Sequence, residues 1–132
     1  MKKLLVVVWV AVSLFIVPPA LASTDICYLG SQAVHMTQDQ IDAFYERQIE
    51  GQLLTGRGEV KRIVSTSGEG LDGKYEVEIA CSPTVVVTLQ TNGFGIERAG
   101  AKKGAVVSFS GECFQIYKSG DVVHCVVKAT IR

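Results

Sequence analysis

The chain predicts a mainly β domain: a five-stranded barrel with a leading α-helix and a short helix between the third and fourth strands. Three observations carry this. From Leu53 onward apolar residues recur at every second position in runs bounded by Gly, Ser, Pro and Asp, the period of half-buried strands. Only one earlier stretch has helical spacing, Ile41, Phe44, Tyr45 and Ile49, and it follows a capping pair, Thr37 and Gln40. The first strand run carries Gly56 and Gly58 inside it, the mark of a bulge or a bend at a barrel corner.

The start of the chain reads as a secretory leader. Lys2 and Lys3 precede an uncharged apolar run from Leu4 to Val17, and Ala20-Leu21-Ala22 forms a small-x-small cleavage pattern. The run is shorter than the roughly 20 residues that span a bilayer, so the mature chain is expected to carry no transmembrane segment and to be periplasmic or secreted, with cleavage after Ala22. Lipidation is not expected at Cys27, which follows Asp25-Ile26 rather than small residues. Cleavage leaves 110 of the 132 residues, enough for one domain. The expected organisation is a leader at 1–22, an N-terminal segment at 23–35 and a single domain at 36–132. Without Lys2 and Lys3 there are 11 basic residues against 13 acidic, a net charge of −2. Phosphate-neutralising proteins carry a basic excess or stripe, so nucleic acid is not the expected partner.

All four cysteines, Cys27, Cys81, Cys113 and Cys125, lie beyond the leader. An even number in a small exported domain points to two disulfides. A zinc site would need close-spaced ligand pairs, whereas these cysteines stand 54, 32 and 12 residues apart.

The elements follow in order. Residues 23–35 show no clear period, and Cys27 is expected to tie them down. The helix starts at the capping box and stops at Glu50-Gly51; its Phe44/Tyr45 pair reads as core. Leu53 to Ser65 is a long first strand in which Val60 and Ile63 do not share one alternation, as a bulge would explain. Residues 66–73 form a loop by composition. Lys74 to Cys81 alternates Tyr75, Val77 and Ile79 on one face with Lys74, Glu76 and Glu78 on the other. Ser82-Pro83 turns the chain into a third strand, Thr84 to Gln90, with Val85, Val87 and Leu89 facing in. Residues 91–104 are a connection holding a short helix around Ile96-Glu97-Arg98-Ala99. Ala105 to Tyr117 and Val122 to Ile131 are the last strands. A three-residue hairpin, Lys118-Ser119-Gly120, with Gly120 at positive φ, would set Tyr117 opposite Asp121 and Cys113 opposite Cys125. A Cys113–Cys125 bridge is then the first expectation and Cys27–Cys81 the second, although four cysteines allow three pairings. The expected interior is Val60, Tyr75, Val77, Ile79, Val85, Val87, Leu89, Val107, Phe109, Val123 and Val127.

Five strands with a helix between the third and fourth is the order of the OB-fold, a Greek-key barrel. Gly56-Arg57-Gly58-Glu59-Val60, Tyr75-Glu76-Val77-Glu78-Ile79 and Lys103 to Cys113 together resemble the exported OB-fold proteins of the tRNA-anti-like family. In that group a leading helix precedes G-x-V, a lysine–glycine opens strand four, and a cysteine follows its glycine. The likeness covers about residues 37 to 131 and implies the fold, not tRNA binding.

No catalytic motif is present: no H-E-x-x-H, G-x-S-x-G or Walker loop. His124 falls on the strand face opposite Cys125, His35 has no evident partner, and Gly93-x-Gly95 lacks the context of a phosphate loop. Catalytic, metal and cofactor residues are therefore expected to be none. OB-folds bind ligands on the outer face of strands two and three. Here that face carries Lys74, Glu76, Glu78, Thr84, Val86, Thr88 and Gln90, with no aromatic among them. The sequence points to a non-catalytic, disulfide-stabilised binding protein whose partner is a protein or envelope component. The alternatives are an oligosaccharide-binding module and a single-stranded nucleic-acid-binding protein.

Overall fold

The computed structural model describes residues 24–131, so the expected leader and its expected cleavage site lie outside the described residues. Asp25 caps the first helix, α1 (Ile26–Ala33), accepting from the Cys27 N–H at 2.8 Å. A helix therefore occupies most of the segment in which the sequence shows no clear period. Its buried positions, Ile26, Leu29, Gly30 and Ala33, do have helical spacing. Glycine and alanine at two of the four carry little hydrophobic signal, and so the stripe is faint.

Helix α2 (Gln38–Phe44) begins as expected. The Gln40 N–H donates to Thr37 Oγ1 at 3.3 Å and the Thr37 N–H to Gln40 Oε1 at 2.9 Å, closing the capping box. The helix widens into one π-helical turn, Tyr45–Ile49, and the chain leaves it through Gly51 at φ 75°. Ile41, Phe44 and Ile49 are buried.

The strands are β1 (Leu53–Ser67), β2 (Lys74–Ser82), β3 (Val85–Asn92), β4 (Val106–Ser119) and β5 (Val122–Ile131). They hydrogen-bond in a closed ring, β1-β2-β3-β5-β4, with β4 returning to β1. All neighbours are antiparallel except β3 and β5. Strand β1 closes the ring because it serves two partners. Leu53–Glu59 pairs with β4 and Glu59–Ser67 with β2. The register slips between Val60 and Arg62, the bulge that the broken Val60/Ile63 alternation implies. Gly56 permits the corner: a side chain there would strike the Phe109 ring and approach Ile26 Cγ2 to 3.0 Å. A single 3₁₀ turn, Gly70–Asp72, lies before β2, and helix α3 (Gly93–Ala99) joins β3 towards β4. Helix α1 lies against β1, β3 and β5, α2 against β4, and α3 against the 3₁₀ turn, β3 and β5.

The interior holds ten of the expected residues, from Val60 through Val127, together with Leu54, Ile116 and Ile131 and the buried faces of α1 and α2. Tyr75 is the exception and is only half-buried. It stands near the start of β2, close in sequence to the 3₁₀ turn, where its hydroxyl donates to the Gly70 carbonyl at 3.3 Å instead of entering the interior.

One disulfide is present, Cys27–Cys81, with Cα atoms 5.5 Å apart; it ties α1 to β2. The expected Cys113–Cys125 bridge is not. Both are buried free thiols. The error lies in the hairpin. Ser119 pairs with Val122, so the loop has two residues, Gly120 and Asp121, and only Gly120 has positive φ (61°). That matches a tight turn with glycine first. Cys125 then faces Ile116, and a bulge at Phe114 sets Cys113 opposite Val127. The two cysteines become diagonal neighbours, for which Cα atoms are typically about 7–8 Å apart. Disulfides span roughly 4.4–6.8 Å.

Candidate ligand-binding groove

The alternation of β2 and β3 turns Lys74, Glu76 and Gln90 outward, and the ladder brings them together. Glu76 faces Gln90, and Lys74 faces Asn92. The parallel partner β5 adds Lys128 beside Gln90. These side chains line a groove of about 510 Å³ together with Thr66, Tyr75 and Thr91. That volume lies within the usual range of ligand sites, roughly 300–1,000 Å³.

Some lining groups already have partners. Thr66 Oγ1 donates to the Lys74 carbonyl at 3.1 Å, and Asn92 Oδ1 caps α3 by accepting from the Gly95 N–H at 2.8 Å. The Glu76 carboxylate, the Gln90 amide and the Lys74 and Lys128 ammonium groups have no side-chain hydrogen bond among the described residues. Their hydrogen-bonding capacity is therefore open to water or a ligand.

Four residues of the expected face, Glu78, Thr84, Val86 and Thr88, stand outside the groove. Glu78 pairs with Arg62 at 3.1 Å across β1, an exposed pair of little energetic weight. Thr88 sits in register between Glu78 and Val126, half-buried and away from the hollow. Lys128 escapes sequence reasoning because nothing local announces a parallel β3–β5 pairing. Tyr75 escapes it because alternation alone assigns it to the interior.

The groove continues around α3. Thr91, Asn92 and Ala129 line both it and a neighbouring hollow bounded by Phe94 and Arg98. The Phe94 ring is 50% exposed, and the Arg98 guanidinium carbon lies 4.7 Å from its centroid. An aromatic surface thus adjoins the face that sequence reading leaves without one. The position of α3 depends on Gly93, which is buried; a side chain there would strike the Gly70 carbonyl.

The chemistry elsewhere is muted. Burial pushes the Cys113 thiol up to about 11, and that of Cys125 higher still, with the nearby Cys113 adding to the rise. The reactive thiolate is therefore disfavoured at neutral pH. The Cys113 thiol donates to the Gln115 carbonyl at 3.2 Å. His124 stacks on Tyr117, ring centroids 4.8 Å apart and planes 11° off parallel, on the face away from Cys125 as alternation requires. His35 is exposed. Among the described residues no three His, Cys, Asp or Glu side chains cluster to hold a metal ion, and no helix is long and apolar enough to cross a membrane. No protein-family model matches the chain, and no curated protein matches its sequence.

Proposed function

We propose that this is an exported, disulfide-stabilised OB-fold-like protein of the cell envelope that binds a ligand and does not catalyse a reaction. The fold reading draws support from the ring order, the parallel β3–β5 pair and the helix between β3 and β4. Kinship with the tRNA-anti-like family is part of the same proposal and rests on the quoted sequence pieces. The Cys27–Cys81 bridge suits an oxidising compartment.

One observation carries the binding function. Lys74, Glu76, Gln90 and Lys128 line a concave groove and satisfy none of their side-chain hydrogen bonds internally. Function is argued from such a site, not from the fold. The test is an amide chemical-shift titration of the mature, oxidised protein with a soluble envelope extract. The expected result is a set of shifts confined to the groove strands around Glu76, Gln90 and Lys128, abolished by Gln90→Trp, which fills the hollow. Shifts spread over the whole surface, or none at all, overturn the reading.

A further inference from the structure

We propose that the groove takes a linear oligosaccharide bearing carboxylate groups. This rests on the binding function above and names the ligand class. Three features of the path from β5 to α3 point there together.

The first is the cations. Lys74 and Lys128 line the groove and Arg98 lies in the adjoining hollow. None of the three pairs with a carboxylate among the described residues. A neutral ligand could accept their hydrogen bonds but would leave three positive charges without a counter-charge. Spaced carboxylates on a chain would meet them one at a time, with charge-assisted hydrogen bonds.

The second is the neutral and acidic hydrogen-bonding groups between the cations. Gln90 offers both donor and acceptor, and Glu76 offers acceptors only. A polyol supplies hydroxyls that satisfy either. A phosphodiester chain supplies only acceptors along its backbone, and so offers no donor to Glu76.

The third is Phe94. Its ring is half exposed and steadied by Arg98. A sugar ring has one face of C–H groups, which packs against an aromatic plane and gains from leaving water. Single-stranded nucleic acid would need successive stacking platforms in a positive groove. Here the aromatics are Tyr75, whose hydroxyl is tied to Gly70, and Phe94, with Glu76 and Glu97 beside them.

The experiment is calorimetric titration of the mature, oxidised protein with tetragalacturonate, chitotetraose and a ten-nucleotide oligothymidylate. Tetragalacturonate is expected to bind at least tenfold more tightly than neutral chitotetraose and more tightly than the oligonucleotide. Lys128→Ala should weaken it tenfold or more, and Lys102→Ala, on the connection outside the groove, should leave it unchanged; circular dichroism checks that both variants fold. The proposal is overturned by no saturable binding, by chitotetraose or the oligonucleotide binding as tightly, or by equal losses in the two lysine variants, which would show attraction to charge alone. If envelope extract perturbs the groove while tetragalacturonate does not bind, the ligand class fails and the binding function stands.

Discussion

The hydroxyl of Tyr45 donates to the main-chain carbonyl of Cys113 at 3.1 Å. This bond joins the π-helical turn to β4 immediately before its bulge, where the ladder is interrupted. Burial raises the Tyr45 hydroxyl above its ordinary value, so it remains a donor across the neutral range. Tyr45→Phe should cost about 0.5–1.5 kcal/mol, the net worth of one such bond. Urea unfolding measures it; an unchanged midpoint would show that water replaces the hydroxyl at no loss.

The thiol count separates the two possible cystine patterns. Ellman titration of the native protein should find no reactive thiol, because Cys113 and Cys125 are buried and protonated. In denaturant without reductant it should find two, and after reduction four. Zero thiols in denaturant would mean that Cys113 and Cys125 are joined after all.

Loss of the Cys27–Cys81 bridge by Cys27→Ser with Cys81→Ser should lower stability by about 2–4 kcal/mol, since the bridge closes a long loop in the unfolded chain. It also holds α1 across the ring, where Ile26 and Leu29 are buried. Hydrogen exchange in the double variant should therefore rise first in residues 26–33.

Alkali should loosen the fold in a defined window. The ordinary thiol value is 9.0, and Cys113 stands near 11 in the folded chain. Above the first value the unfolded chain sheds this proton while the native one retains it, so stability falls as pH rises from about 9 towards 11. Each thiol contributes at most about 1.4 kcal/mol per pH unit. Replacing both with Ala or Val should flatten that part of the stability curve, though not necessarily raise the plateau at pH 7.

Gly93→Ala should destabilise by roughly 1–3 kcal/mol, the usual range for overpacking, because the new methyl meets the backbone of Gly70 rather than a side chain that could turn aside. Gly95→Ala is the contrast. Its nearest neighbour would be the Thr91 hydroxyl at 2.8 Å, the end of a side chain able to rotate. If Gly93→Ala melts no lower than Gly95→Ala, α3 is not held by that close approach.

The strands were largely readable in advance. β5 runs from Val122 to Ile131, as its alternation indicates, and Val77, Ile79, Val85, Val87 and Leu89 face inward. Period-two patterns survive because one face of each strand must be buried. The Thr37–Gln40 box was equally plain, since capping is local chemistry. Of the groove, Lys74, Glu76 and Gln90 were visible as outward residues. Their company was not: Lys128 arrives through a long-range parallel pairing, and Phe94 through the seat of α3. Tyr75 and the Cys113/Cys125 pair show how a local rule misleads when register and strand ends depend on the rest of the ring.

Local sequence determines which residues of this protein lie on strands, which face each presents and where α2 begins, because hydrogen-bonding caps and alternating hydrophobicity act over a few positions. Tertiary structure decides what those faces meet. It sets a two-residue turn at Gly120-Asp121 and parts the last two thiols. It also lays β5 beside β3 and folds β1 around Gly56 to close the ring. These choices depend on how all the buried faces fit together at once, and no short stretch of the chain contains that information.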